Sequence, residues 1–115
     1  MSRIYPIYGQ DAHEMTIRLL EAADAIHMVP SGGDVALKPN LVVAGTPESG
    51  ATTHGGVLSG CIEYFRGHGV EKISVIEGSW VGDETMRAMR RAGYDKICKA
   101  YNVPFYDLKK DVVRP

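Results

Sequence analysis

Glu77 closes the apolar run Ile73, Ser74, Val75 and Ile76, and a carboxyl group at the end of a covered strand loses part of its water. Desolvation favours the protonated form, which suits a general acid or base, and the same oxygens suit a hard cation. An ordinary strand-end carboxylate bonded to backbone N–H groups is the competing reading. His54 opens a helical phase, where an imidazole beside the positive end of the helix dipole can serve as a base or ligand when neutral. Glu77 and His54 are therefore the candidate catalytic residues. Lys38 and Asn40 follow a short apolar run, and Thr52 and Thr53 precede the helix start. A lysine with hydroxyls and unpaired helix N–H groups can hold phosphate or carboxylate. Against this, Lys38 can be a solvated strand-end residue and either threonine a simple cap. Ser79 and Trp80 complete the candidate ligand-binding set, with Trp80 either walling a pocket or plugging the edge of the core.

These residues carry no established phosphate-binding signature. Neither GxxxxGK[ST] nor GxGxxG occurs. His13, His27 and His68 lie on helical stretches at no spacing that suggests a shared metal, so no metal site is expected, although a divalent cation beside Glu77 stays open. Asp83 reads as a helix cap rather than a ligand. Cys61 and Cys98 stand far apart, each in an apolar helical phase, and read as small buried hydrophobes in a reducing compartment. Thirteen basic against fourteen acidic residues give a net charge of -1, which leaves no field to hold nucleic acid. Arg87, Arg90 and Arg91 have the spacing of a wet helix face. With no secretory leader and no membrane-length apolar run at Met1 to Tyr8 or beyond, the cytoplasm is the expected address, without a membrane partner.

The elements that must position the candidates follow from periodicity. Ile4, Tyr5, Ile7 and Tyr8 suggest a first strand, at a sheet edge because Pro6 lacks a ladder donor. Asp11 and Glu14 have capping-box spacing, and Met15, Leu19, Ala22, Ala23 and Ile26 predict a helix running towards Pro30. Val35, Ala36 and Leu37 read as a strand covered on both faces. The Gly-, Ser- and Thr-rich stretch 41–53 is longer than most connections, as functional loops often are. Val57, Leu58, Cys61, Ile62 and Phe65 predict a second helix ended by Gly67 and Gly69. Residues 73–76 form the next strand, and a helix from Asp83 through Met86 and Met89 ends at Gly93. Asp95 caps a short helix with Ile97, Cys98 and Tyr101, and Val103 to Leu108 gives a last strand.

The order βαβαβααβ defines an α/β fold, a three-layer arrangement around a mainly parallel sheet of about four strands. At 115 residues the chain is a single α/β domain, 1–115. Ligands in such sheets bind beyond the carboxyl ends of the strands. That rule selects Lys38 to Asn40 with its loop, Glu77 to Trp80, and Asp107 with Lys109.

The segments Val35-Ala36-Leu37-Lys38-Pro39-Asn40-Leu41, Ala51-Thr52-Thr53-His54 and Ile76-Glu77-Gly78, with Gly93-Tyr94 after them, resemble the N-terminal part of the domain-of-unknown-function-362 family. The KPN, ATTH and EG elements stand in the family's order and span most of the chain. A proline is expected after the family's TTH or TTD element, where this chain has Gly55. The resemblance implies a longer parent domain, of which this chain reads as the N-terminal half. Many relatives resemble iron–sulfur proteins with ferredoxin-like cysteine clusters. Two distant cysteines cannot replace four, so no iron–sulfur cofactor is expected here.

Two functions compete. One is a domain that binds a small anionic ligand at the carboxyl strand ends. The other is a non-catalytic association module, or the truncated half of an iron–sulfur redox protein. A half sheet leaves an open edge and face, so a homo-oligomer or a partner protein is expected. The sequence specifies no reaction, and whether the chain is an enzyme is left open.

Overall fold

The computed structural model describes residues 3–39, 54–77 and 93–107, with Glu77 and Asp107 described in backbone alone. The described elements run α1 (Ala12–Ala23), a 3₁₀ turn (Ala25–Met28), β1 (Val35–Leu37), α2 (Gly55–Gly67), β2 (Ile73–Glu77), α3 (Tyr94–Ala100) and β3 (Phe105–Asp107).

α1 starts where Asp11 leaves the extended region and accepts a hydrogen bond from the Glu14 N–H at 3.1 Å, satisfying a backbone donor that the helix cannot. It stops earlier than apolar spacing suggests. Asp24 adopts φ 56°, and its N–H turns back to the carbonyls of Leu20 and Glu21. Ile26 then belongs to the 3₁₀ turn. At the end of α2, Gly69 takes φ +89°, a conformation costly for any residue with a Cβ, while Val70 N–H closes onto Phe65 O at 3.0 Å.

The three strands form one parallel sheet in the order β1-β2-β3. Val35 pairs with Ile73 and Leu37 with Val75, while Val75 pairs with Phe105 and Glu77 with Asp107. Alternation along each strand divides the sheet into two faces. Val35, Leu37, Ile73, Val75 and Phe105 meet Leu58, Ile62 and Phe65 of α2 and Tyr94, Ile97 and Cys98 of α3, with Val70 and Val103 closing the core. Ile62, Val75 and Tyr94 are fully buried, the aliphatic side chains of Ile62 and Val75 each contributing about 1.5–3 kcal/mol by leaving water. Both helices lie on that face, as right-handed crossovers require when parallel strands are laid down in sequential order.

The other face carries Ala36, Ser74, Ile76 and Tyr106, with Ala36 exposed and Tyr106 52 % exposed. Three expectations change here. Val35 to Leu37 is covered on one face rather than two. Among the described residues the sheet has three strands, and helices occupy one layer rather than two. Residues 4–8 form no strand, because no described strand pairs with them: Ile4 and Tyr8 are 89 % and 87 % exposed. Asp95 lies in the first turn of α3 instead of capping it, since the cap is Gly93 with φ +80°. The expected helix from Asp83 lies outside the described residues. Cys98 is buried and Cys61 half-buried, both as free thiols, and burial pushes both thiols up from their ordinary value.

Candidate functional site

The carboxyl ends of the strands gather three of the candidate residues by backbone alone. Lys38 directly follows β1, Glu77 ends β2, and Asp107 ends β3 in register with Glu77. α2 leads into β2 through residues 68–72 and packs along the sheet, so its start lies at the same end as the carboxyl ends of the strands. His54 is thereby brought to that edge as the N-cap of α2. Its Nδ1 accepts the Gly56 N–H at 3.0 Å, so the cap is the histidine and not Thr52 or Thr53. With Nδ1 committed as acceptor, Nε2 is the ring nitrogen left for chemistry. Lys38 is an exposed residue. Asn40, Thr52, Thr53, Ser79 and Trp80 lie outside the described residues.

Two open clefts among the described residues lie at the opposite edge. One of about 440 Å³ is lined by Ser31, Gly33, Asp34, His68 and Lys72. The other, of about 340 Å³, lies against Arg66, Ser74, Pro104 and Tyr106. Both sit at the amino ends of the strands. Their charged side chains Asp34, Arg66, His68 and Lys72 are exposed, whereas parallel sheets converge their ligand-binding loops at the carboxyl ends. The loop geometry of the fold outweighs cleft size here.

A second polar constellation links three helices and was not legible in the sequence. His13 of α1 sits between two residues of α2: its Nδ1 lies 2.6 Å from Ser59 Oγ and its Nε2 2.5 Å from Glu63 Oε2. Tyr101, which caps the end of α3, donates its hydroxyl to Glu63 Oε1 at 2.8 Å. Two hydrogen bonds, from Tyr101 first and His13 second, hold the Glu63 carboxyl below the usual carboxylate range. The same contact, together with burial, raises the Tyr101 phenol.

Serine, histidine and glutamate in this order are the parts of a nucleophile, a base and its orienting acid. Ser59, however, lies in the second turn of α2 and gives its own hydroxyl to Gly56 O at 3.2 Å. The N–H groups around it are spent in the helix ladder, leaving no donor pair for an oxyanion. The constellation is a clasp between helices. Close approach makes it possible, since a Cβ on Gly60 would stand 2.7 Å from His13 O, and one on Gly56 would stand 2.9 Å from His13 N. The spacing Gly56-Val57-Leu58-Ser59-Gly60, with Ser59 and Glu63 four apart on one helix face, is the one local signal that marked this surface.

Fold and edge together define an α/β domain with a parallel sheet and polar residues at its carboxyl ends. Residues 35–115 match the family described as Domain of unknown function (DUF362), and the chain belongs to that family. The match begins at β1 and takes in Lys38, His54 and Glu77, whereas α1 precedes it. No curated protein and no solved structure matches the chain. No helix among the described residues is long and apolar enough to cross a membrane.

Proposed function

We propose that this domain binds a small anionic ligand, of the phosphate or carboxylate class, at the carboxyl edge of its sheet. The observation that carries the reading is the parallel register, which sets Glu77 beside Asp107 at the edge where β1 delivers Lys38 and α2 begins at His54. Lys38 supplies the positive charge, and Asn40, Thr52, Thr53 and Ser79 supply hydrogen bonds from the flanking loops. Glu77 and Asp107 stand in register at the ends of β2 and β3, and carboxylates are ligands for a divalent cation that would accompany the anion. In a reaction at this edge, Glu77 and His54 Nε2 are the groups to move a proton.

Trp80 is the chain's one tryptophan and lies three residues past Glu77. Its fluorescence, titrated with inorganic phosphate in the presence and absence of magnesium, should saturate in the parent. It should weaken at least tenfold, about 1.4 kcal/mol, in Lys38→Ala. Saturation that is equal in Lys38→Ala and Glu77→Gln rules out this site.

A second reading rests on the sheet face of Ala36, Ser74, Ile76 and Tyr106, on which no described helix packs and where Ala36 and Tyr106 are exposed while Ser74 and Ile76 are half-buried. A parallel sheet is ordinarily covered on both faces, so a domain that works by association with a second copy or another protein accounts for this surface.

A further inference from the structure

α1 and α2 run side by side in the same direction. Ala12 and His13 meet Gly56, Thr16 meets Gly60, and Ile17 and Glu21 line a groove with Glu63 and Gly67. The amino end of α1 therefore stands beside the amino end of α2. The three parts converge on Gly56, whose Cβ would meet His13 N at 2.9 Å, Ala12 Cβ at 3.0 Å and His54 Nδ1 at 3.3 Å. The His54 ring thus shares the crowded space above Gly56 with the first turn of α1.

What fixes α1 in that place is partly polar. No residue of α1 is fully buried, and its apolar side chains Met15, Ile17, Leu19 and Leu20 are only half-buried. His13 bonds Ser59 and Glu63 from the α1 side, and Tyr101 holds the far oxygen of Glu63. Gly60 permits the approach: any side chain there would collide with His13 O and with Thr16 Cβ at 2.8 Å.

We propose that His13 is a positioning residue for the candidate ligand edge, locking α1 onto α2 through Ser59 and Glu63 so that the first turn of α1 borders Gly56 and steadies the exposed His54 ring in its capping position. The inference rests on the anion-site reading for its functional consequence, while the effect on the His54 ring stands independently of it. α1 thereby acts on a site that lies within the family's matched residues although α1 itself precedes them.

The test is ¹⁵N NMR of the histidine rings in the full chain, with phosphate affinity measured on the same samples. In the parent, His54 should show Nδ1 as the acceptor nitrogen. His13→Ala removes both clasp bonds, and Gly60→Ala drives the helices apart by meeting the His13 backbone oxygen while leaving both imidazoles unaltered. His54 is exposed in the parent, so both should move its ring signals from a fixed Nδ1 acceptor towards a tautomer-averaged imidazole. Phosphate affinity should fall on the order of tenfold, the scale on which an orienting partner acts. His13→Gln keeps a donor for the Glu63 carboxylate and should restore both readouts at least in part. Unchanged His54 signals in folded His13→Ala and Gly60→Ala overturn the proposal. If those variants unfold, Ser59→Ala, which deletes one clasp bond, the bond to Gly56 O and little packing, decides by the same signal. A parent that binds no phosphate while its His54 signals still respond to the clasp would sink the anion site and leave the positioning role intact.

Discussion

Glu63 is the residue whose titration the structure makes readable. Its carboxylate accepts from the Tyr101 hydroxyl and pairs with His13, and both bonds favour the charged form. A carboxyl held below its ordinary range in the folded chain contributes stability above that range. The contribution is lost as pH falls through the lowered value. Glu63→Gln keeps an acceptor for Tyr101 and removes the charge. It should cost about 0.5 kcal/mol at neutral pH, the scale of a partly exposed ion pair, and nothing once the parent carboxyl is protonated. Urea midpoints of the two proteins at about pH 7 and about pH 3 check this, because the linkage requires the curves to converge in acid. A gap of the same size at both pH values would assign the clasp to packing rather than charge.

At the scale of elements, Gly60 sets two effects against each other. Alanine is the better helix former by about 1 kcal/mol, so on propensity alone Gly60→Ala should stabilise α2. The added carbon, however, meets a backbone oxygen of α1 at 2.7 Å and a Cβ at 2.8 Å, neither of which is the end of a flexible side chain. Overpacking of that kind costs about 1–3 kcal/mol, so net destabilisation is expected in thermal unfolding. A raised melting temperature would show that α1 does not sit on α2 in solution. The same pair of helices shows what sequence carries and what it does not. The Asp11 cap, the Gly67 to Gly69 stop and the apolar phase of α2 are local, so each could be read from neighbouring residues. The parallel sheet followed from alternation of element types, as did Glu77 and His54 at one edge. His13 lies 46 and 50 residues from its two partners, and no spacing rule reaches that far. Ile4 to Tyr8 failed for the complementary reason. β-rich composition becomes a strand only when a neighbour supplies the ladder.

At the scale of the whole molecule, the described helices lie on one face of the sheet, and the described residues of the other form a small, uncharged patch. Ala36, Ser74, Ile76 and Tyr106 carry no formal charge, so two copies can bring these faces together without repulsion. β1 and β3, the outer strands of the described sheet, also leave backbone groups at its edges. Tyr106 is the largest exposed apolar group of that face, and aromatic residues of this kind commonly anchor interfaces. The chain should therefore self-associate at micromolar concentration in light scattering. Tyr106→Glu should shift it towards monomer, because each interface would then hold two facing carboxylates without partners. The same substitution lies on the face away from the core residues Val75 and Phe105, so cooperative unfolding should persist with little change in midpoint. A parent that stays monodisperse and monomeric across the concentration range would count against self-association as the fate of this face.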